Sequence, residues 1–225
     1  MKCVILLILS GPLMAADFMH EAKQKTQGII EKIIGHPFLV TLANGTLART
    51  VFDDFSKQDN IYSWRYADAL SLLAIKTSNS TEQLFFLKAA KSSTQEWGGL
   101  IPENIEQCPS CQAYSDFELA SVQQSYPQGL ASIAPCYMVY ACVATWLAEN
   151  SVSDNPYQDW IDQYAEPGFQ AHVHEMESIM NRAAHTSPSE REGMLIAYEK
   201  SVRYEWQFWN SIYHSKKWEP HEDQP

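Results

Sequence analysis

The sequence predicts an all-α, single-domain helical bundle, and three observations predict it. Apolar residues recur at three- and four-residue steps over long segments, the period of an amphipathic helix. Capping residues, prolines and glycines fall at helix-length intervals, whereas alternating strands joined by tight turns are nearly absent. The 225 residues contain no internal repeat, low-complexity tract or linker, so one core is expected.

The elements follow in order. An amphipathic stretch at residues 19–34 stops before His36-Pro37, because the residue preceding proline avoids helical backbone. Residues 37–42 predict a short helix closed by Asn44-Gly45. Thr50-x-x-Asp53 resembles a capping arrangement opening a long helix to Lys76, with Phe52, Phe55, Ile61, Tyr62, Ala69 and Leu72 on its apolar positions. Ser80-x-x-Gln83 reads as a capping box for a helix running to about Trp97 and ending at Gly98-Gly99. Two prolines make 100–110 a loop. Helices are then expected at 112–126, 129–149, 157–164 and 169–184. The last helix starts at Ser187 as N-cap, with Pro188 at the first position and Glu190 completing a box, and runs to about Tyr213.

Residues 1–16 differ from the rest. Lys2, the apolar run 3–9, Ser10-Gly11-Pro12 and Ala15-Ala16 follow the order of a secretory signal, leaving 17–225 as the mature domain. Export to a secreted or periplasmic location is the expectation; a start at Met19 would instead give a cytoplasmic protein. No other segment reads as long and apolar enough to cross a membrane.

The formal charge of −11, with no basic run, argues against nucleic acid and anionic membrane surfaces, both of which need clustered Lys and Arg. Of the five cysteines, Cys3 would leave with the signal. Cys108 and Cys111 form one Cys-x-x-Cys with no second ligand pair, which disfavours structural zinc and leaves free thiols or a small disulfide.

Three positions carry candidate chemistry. Cys136 follows Pro135 and lies four residues before Tyr140, on the same helix face. Pro135 either opens a helix or kinks one already running, and in either case backbone N–H groups that lose their partners there would stabilise a thiolate; the bland reading is that Cys136, a lone cysteine in an apolar helix, is a small buried hydrophobe. Glu205 sits in Tyr204-Glu205-Trp206-Gln207-Phe208-Trp209. It is either exposed beside core aromatics or held in an apolar pocket that raises its pKa and suits acid–base work. Asp59 and Tyr62, three apart in the long helix, either meet solvent or line a cavity.

Taken in order, six blocks resemble the TenA/thiaminase II family. They are His36-Pro37-Phe38, Leu42-Ala43-Asn44-Gly45-Thr46-Leu47, Phe55-x-x-Gln58-Asp59-x-x-Tyr62, Ala134-Pro135-Cys136-x-x-x-Tyr140, Tyr157-x-x-Trp160-Ile161-x-x-Tyr164 and Tyr204-Glu205-x-x-Phe208-Trp209. The fit spans about Met19 to Trp218. The resemblance implies a heme-oxygenase-like fold, a homotetramer and no metal or organic cofactor. It also implies hydrolysis of thiamin or its aminomethylpyrimidine breakdown products to hydroxymethylpyrimidine. Cys136 falls on the family's nucleophile and Glu205 on its acid/base carboxylate. Asp59 falls on the residue that bonds the aminopyrimidine, Tyr62, Tyr140 and Tyr164 on pocket tyrosines, and Phe208 on a stacking aromatic. The stretch 95–99 and the loop after it match only loosely, at a place where the leaving group would be selected.

Two other readings compete. A pyrimidine- or thiamin-binding protein without catalysis would share the pocket but needs no nucleophile. A di-iron oxidase needs Glu-x-x-His pairs, and no Glu stands three before a His.

Overall fold

The computed structural model describes residues 17–99 and 105–215; the expected signal at 1–16 lies outside them. Among the described residues the chain forms nine α-helices and no strand: α1 Phe18–Ile34, α2 Pro37–Ala43, α3 Arg49–Lys76, α4 Ser80–Gln95, α5 Pro109–Gln124, α6 Tyr126–Asn150, α7 Gln158–Ala165, α8 Pro167–Thr186 and α9 Arg191–Tyr213. A 3-10 turn, Pro188–Glu190, precedes α9.

Helix α6 is the axis of the bundle, packed on α5, α7, α8 and α9. It corrects the expectation about membrane-length segments, being long and apolar enough to span one. Here that apolarity faces protein on most sides: Leu130, Ile133, Val139, Val143 and Leu147 are all buried. Gly129 lets α6 meet the end of α5, since a Cβ there would stand 2.4 Å from Val122 Cα. Helix α3 lies alongside with Phe55, Tyr62, Tyr66, Leu70 and Leu73 on its buried stripe. Trp209 of α9 stacks on Phe55 at 5.0 Å and tilts against Phe38 at 5.0 Å, joining α2, α3 and α9 in one aromatic core.

Three expected caps are replaced. Helix α3 starts after Ala48 without a side-chain cap, because Asp53 pairs with Arg49 rather than closing a box with Thr50. Helix α4 is capped by Asn79, whose Oδ1 accepts from the N–H groups of Thr81 (2.9 Å) and Glu82 (3.3 Å). At Ser187 no side-chain cap forms. The Glu190 carboxylate instead accepts from the Ser125 hydroxyl and from Gln128 Nε2, tying the turn to the start of α6. At α3 and α9 the acidic member of the expected box, Asp53 or Glu190, bonds elsewhere, and at α4 the preceding residue takes over the cap.

The block 42–47 is held from a distance. Asn155 Nδ2 donates to the carbonyls of Leu42 (2.8 Å) and Ala43 (3.1 Å), and the Tyr157 hydroxyl donates to that of Leu47 (2.6 Å). Gly45, at φ +67°, makes the reversal that these bonds require.

Candidate active site

A cavity of about 180 Å³ opens between α3, α4, α6, α7 and α8, with Asp59, Tyr62, Glu96, Cys136, Tyr140 and Tyr164 among its walls. Next to it Asp59, Tyr62, Tyr114, Tyr140, Glu205 and Phe208 surround a gap too narrow to hold a water molecule. Asp59, Tyr62 and Tyr140 belong to both, so the two form one site. All seven residues picked out from the sequence therefore converge here: Cys136, Asp59, Tyr62, Tyr140 and Tyr164 at the cavity, Glu205 and Phe208 next to it.

The helix periods explain the convergence. Asp59 and Tyr62 lie one turn apart on the inward face of α3, and Cys136 and Tyr140 one turn apart on α6. The Asp59 carboxylate, 3% exposed, accepts from the Tyr140 hydroxyl (3.2 Å) and the Trp97 indole N–H (3.0 Å). Burial first, and then the nearby Glu96 charge, push its pKa well up, against the lowering effect of those two donors. Asp59 is thus a carboxyl group disposed to hold a proton or to pair with a cation.

Cys136 corrects one expectation. Pro135 lies inside α6, which runs unbroken through it, so no helix start faces the sulfur. A proline in that position removes an N–H and strands the carbonyl four residues back; it frees no donor. Burial, followed by the Glu205 and Glu118 charges, raises the thiol pKa well above that of an ordinary cysteine. The resting sulfur is a thiol that needs a base.

The base candidate is within electrostatic reach. Glu205, 2% exposed, accepts from the Tyr114 hydroxyl at 2.9 Å, and burial lifts its pKa to about 8. Two elevated groups are better matched for proton exchange than a thiol with an ordinary carboxylate would be.

Sequence reasoning missed Tyr114 and Glu118 and only touched Glu96 and Trp97. Tyr114 and Glu118 project from α5. The Tyr62 hydroxyl donates to Glu118 Oε1 at 2.8 Å, while Oε2 is buried without a hydrogen-bond partner among the described residues. Glu118 is 0% exposed, and burial pushes its pKa well up. Cys111, Tyr114, Ser115, Glu118, Ser121 and Val122 form the buried stripe of α5, and a glutamate on a buried stripe marks a site, but only packing shows which stripe of this helix is buried. Glu96 and Trp97 come from the loosely matching stretch 95–99. Glu96 accepts from Ser63 Oγ (3.0 Å), from the Tyr164 hydroxyl and from Gln163 Nε2 (3.4 Å). Gly98 and Gly99, at φ +85° and +77°, turn the chain away just after them.

Cys108 caps α5 and Cys111 is buried behind it; both are free thiols, as are Cys136 and Cys142. The Cys108 N–H donates to Gln58 Oε1 at 2.8 Å, fixing the start of α5 to α3 one residue before Asp59. Among the described residues no group of three or more His, Cys, Asp and Glu side chains is arranged to hold a metal ion.

Known proteins resemble this chain in sequence and fold. The family described as TENA/THI-4/PQQC matches residues 23–215. An uncharacterized protein of Haemophilus influenzae is 28% identical over 202 residues, covering 83% of this chain and 94% of its own. The Aminopyrimidine aminohydrolase of Halalkalibacterium halodurans is 25% identical over 219 residues, covering 90% and 98%. Among solved structures, a TenA homologue from P. horikoshii superposes with a TM-score of 0.80 at 22% identity, covering 88% of this chain and 99% of that one. At that identity the match shows the fold, which in a Shewanella denitrificans domain (TM-score 0.67, 10% identity, 88% of this chain and 92% of that one) is described as heme oxygenase-like. This all-helical chain is therefore a member of the TENA/THI-4/PQQC family with a heme-oxygenase-like fold.

Proposed function

We propose that the protein is an aminopyrimidine aminohydrolase of the thiaminase II type, releasing hydroxymethylpyrimidine from aminomethylpyrimidine products of thiamin breakdown and from thiamin. The observation that carries the reading is the pairing of a raised-pKa thiol, Cys136, with a carboxyl group, Glu205, whose pKa lies at about 8, around a small aromatic cavity. Binding alone needs neither group, which weighs against a carrier protein. The family membership and the names of relatives at about 25% identity support the same chemistry.

In this reading Asp59 pairs with the protonated aminopyrimidine and makes the ring more electrophilic. Tyr62, Tyr140, Tyr164 and Phe208 hold the flat ring by aromatic contact and keep water out. Glu205 takes the Cys136 proton as the sulfur adds to a ring carbon. The ammonium arm, as ammonia, or the thiazole then leaves from the exocyclic methylene; neither needs a proton to depart, so Glu205 keeps the one taken from Cys136. Water adds to that methylene, passing its proton to the departed ammonia or, in the thiazole case, to solvent; as the ring regains aromaticity the sulfur is expelled and takes its proton back from Glu205. Export, should residues 1–16 act as a signal, and assembly as a homotetramer belong to the same proposal, on the strength of the leader composition and the family resemblance.

The test is release of hydroxymethylpyrimidine from 4-amino-5-aminomethyl-2-methylpyrimidine and from thiamin, by the purified protein and by Cys136→Ala under reducing conditions. Turnover abolished in the variant is expected. No turnover by the unaltered protein, with tight pyrimidine binding, would leave a binding protein.

A further inference from the structure

The mouth of the cavity holds a feature that the hydrolase chemistry does not use. Glu96, at the C-terminal end of α4, turns its carboxylate into the cavity wall and is braced there by Ser63 of α3 and by Tyr164 and Gln163 of α7. Three donors occupy three of the roughly four acceptor positions of a carboxylate, leaving one for a ligand. The hydroxyl-bearing Ser92 and Ser93 line the cavity with it. Among the cavity's lining residues there is no Lys or Arg, while Asp59 and Glu96 both contribute carboxyl groups. Two buried acids in one small cup disfavour each other's charge and are held toward the protonated form until something cationic comes between them.

We infer that Glu96 is a specificity-determining residue that seats a primary ammonium on the departing side of the substrate, while Asp59 holds the aminopyrimidine ring. The inference rests on the aminopyrimidine reading of the site. An ammonium brings three N–H donors, which match the free acceptor position of Glu96 and the Ser92 and Ser93 hydroxyls. A thiazolium carries its charge on a ring without N–H and can use none of these bonds. Volume points the same way: about 180 Å³ is below the roughly 300–1,000 Å³ of cavities that take drug-sized ligands. It suits one ring with a short arm. Glu96 thus tilts the enzyme toward amine-bearing fragments and away from the intact two-ring vitamin.

The experiment compares two ligands by calorimetry at neutral pH in the non-turning Cys136→Ala protein, with and without Glu96→Gln. One ligand is 4-amino-5-aminomethyl-2-methylpyrimidine; the other is its 5-hydroxymethyl counterpart, which has the same ring and no charge on the arm. With Glu96 present the ammonium ligand is expected to bind at least about tenfold more tightly, the scale of one charge-assisted hydrogen bond, and Glu96→Gln should bring the ratio to near one. A ratio already near one, or a ratio that survives the substitution, overturns the assignment. So does equal weakening of both ligands, which would mean that Glu96 only braces α4 against α3 and α7. If neither pyrimidine binds, the aminopyrimidine reading itself falls; if both bind without discrimination, only the role of Glu96 does.

Discussion

Replacing Glu205 by Gln separates the cost of the buried carboxyl from its use. In the folded protein the group titrates at about 8, against an ordinary value of 4.5, because burial disfavours its charge. The raised folded pKa means that the native state holds the proton more tightly than the unfolded chain does. The associated stability is fully present below about pH 4.5 and is lost as pH rises through about 8. Integrating the linkage relation between those two values, the carboxyl costs about 1 kcal/mol at pH 5.5 and about 4–5 kcal/mol at pH 8.5, a change of about 3 kcal/mol. Gln keeps the shape, accepts the Tyr114 hydroxyl bond as before and does not titrate. Glu205→Gln should therefore be more stable than the unaltered protein, with an advantage that widens by about 3 kcal/mol from pH 5.5 to pH 8.5. Glu96 is common to both proteins, and Asp59 and Glu118, whose charged forms the Glu205 charge disfavours, are relieved in the variant at high pH, which acts in the same direction. Urea unfolding at a series of pH values reads this out, because the midpoint shifts while the slope stays fixed. Hydroxymethylpyrimidine release should fall by about 10²–10⁴-fold in the same variant. A stability difference that stays flat across this pH range would refute the assignment of a buried, proton-holding Glu205.

Two further outcomes follow from the same structure. Cys136 carries a thiol whose pKa burial has raised, so alkylation by iodoacetamide, followed by peptide mass spectrometry, should be slower at pH 7 than for a free cysteine and should accelerate steadily above it; rapid modification at pH 7 would mean a resting thiolate. Gly129→Ala places a methyl 2.4 Å from Val122 Cα and should destabilise the fold by about 1–3 kcal/mol, measured as a lower thermal midpoint.

The sequence by itself determined the fold class, the chain order of the helices and most of the residues that meet at the candidate site. Helical periodicity is a local property, and it put Asp59 with Tyr62, and Cys136 with Tyr140, on shared faces before any tertiary contact was known. Caps were less legible. Thr50, Ser80 and Ser187 each fit a local box, yet Arg49 drew Asp53 away, Asn79 capped α4 in place of Ser80, and Ser125 with Gln128 drew Glu190 away. The sequence also could not say which face of α5 turns toward α3 and α9, so Tyr114 and Glu118 came to the site only through packing. The tertiary structure decided the ionisation of the site as well. Whether Glu205 is an exposed acid or a base near neutrality, and whether Cys136 rests as thiolate or thiol, depends on burial and on the charges brought close from other helices. Desolvation is a property of the assembled core, and the order of residues along one helix does not encode it.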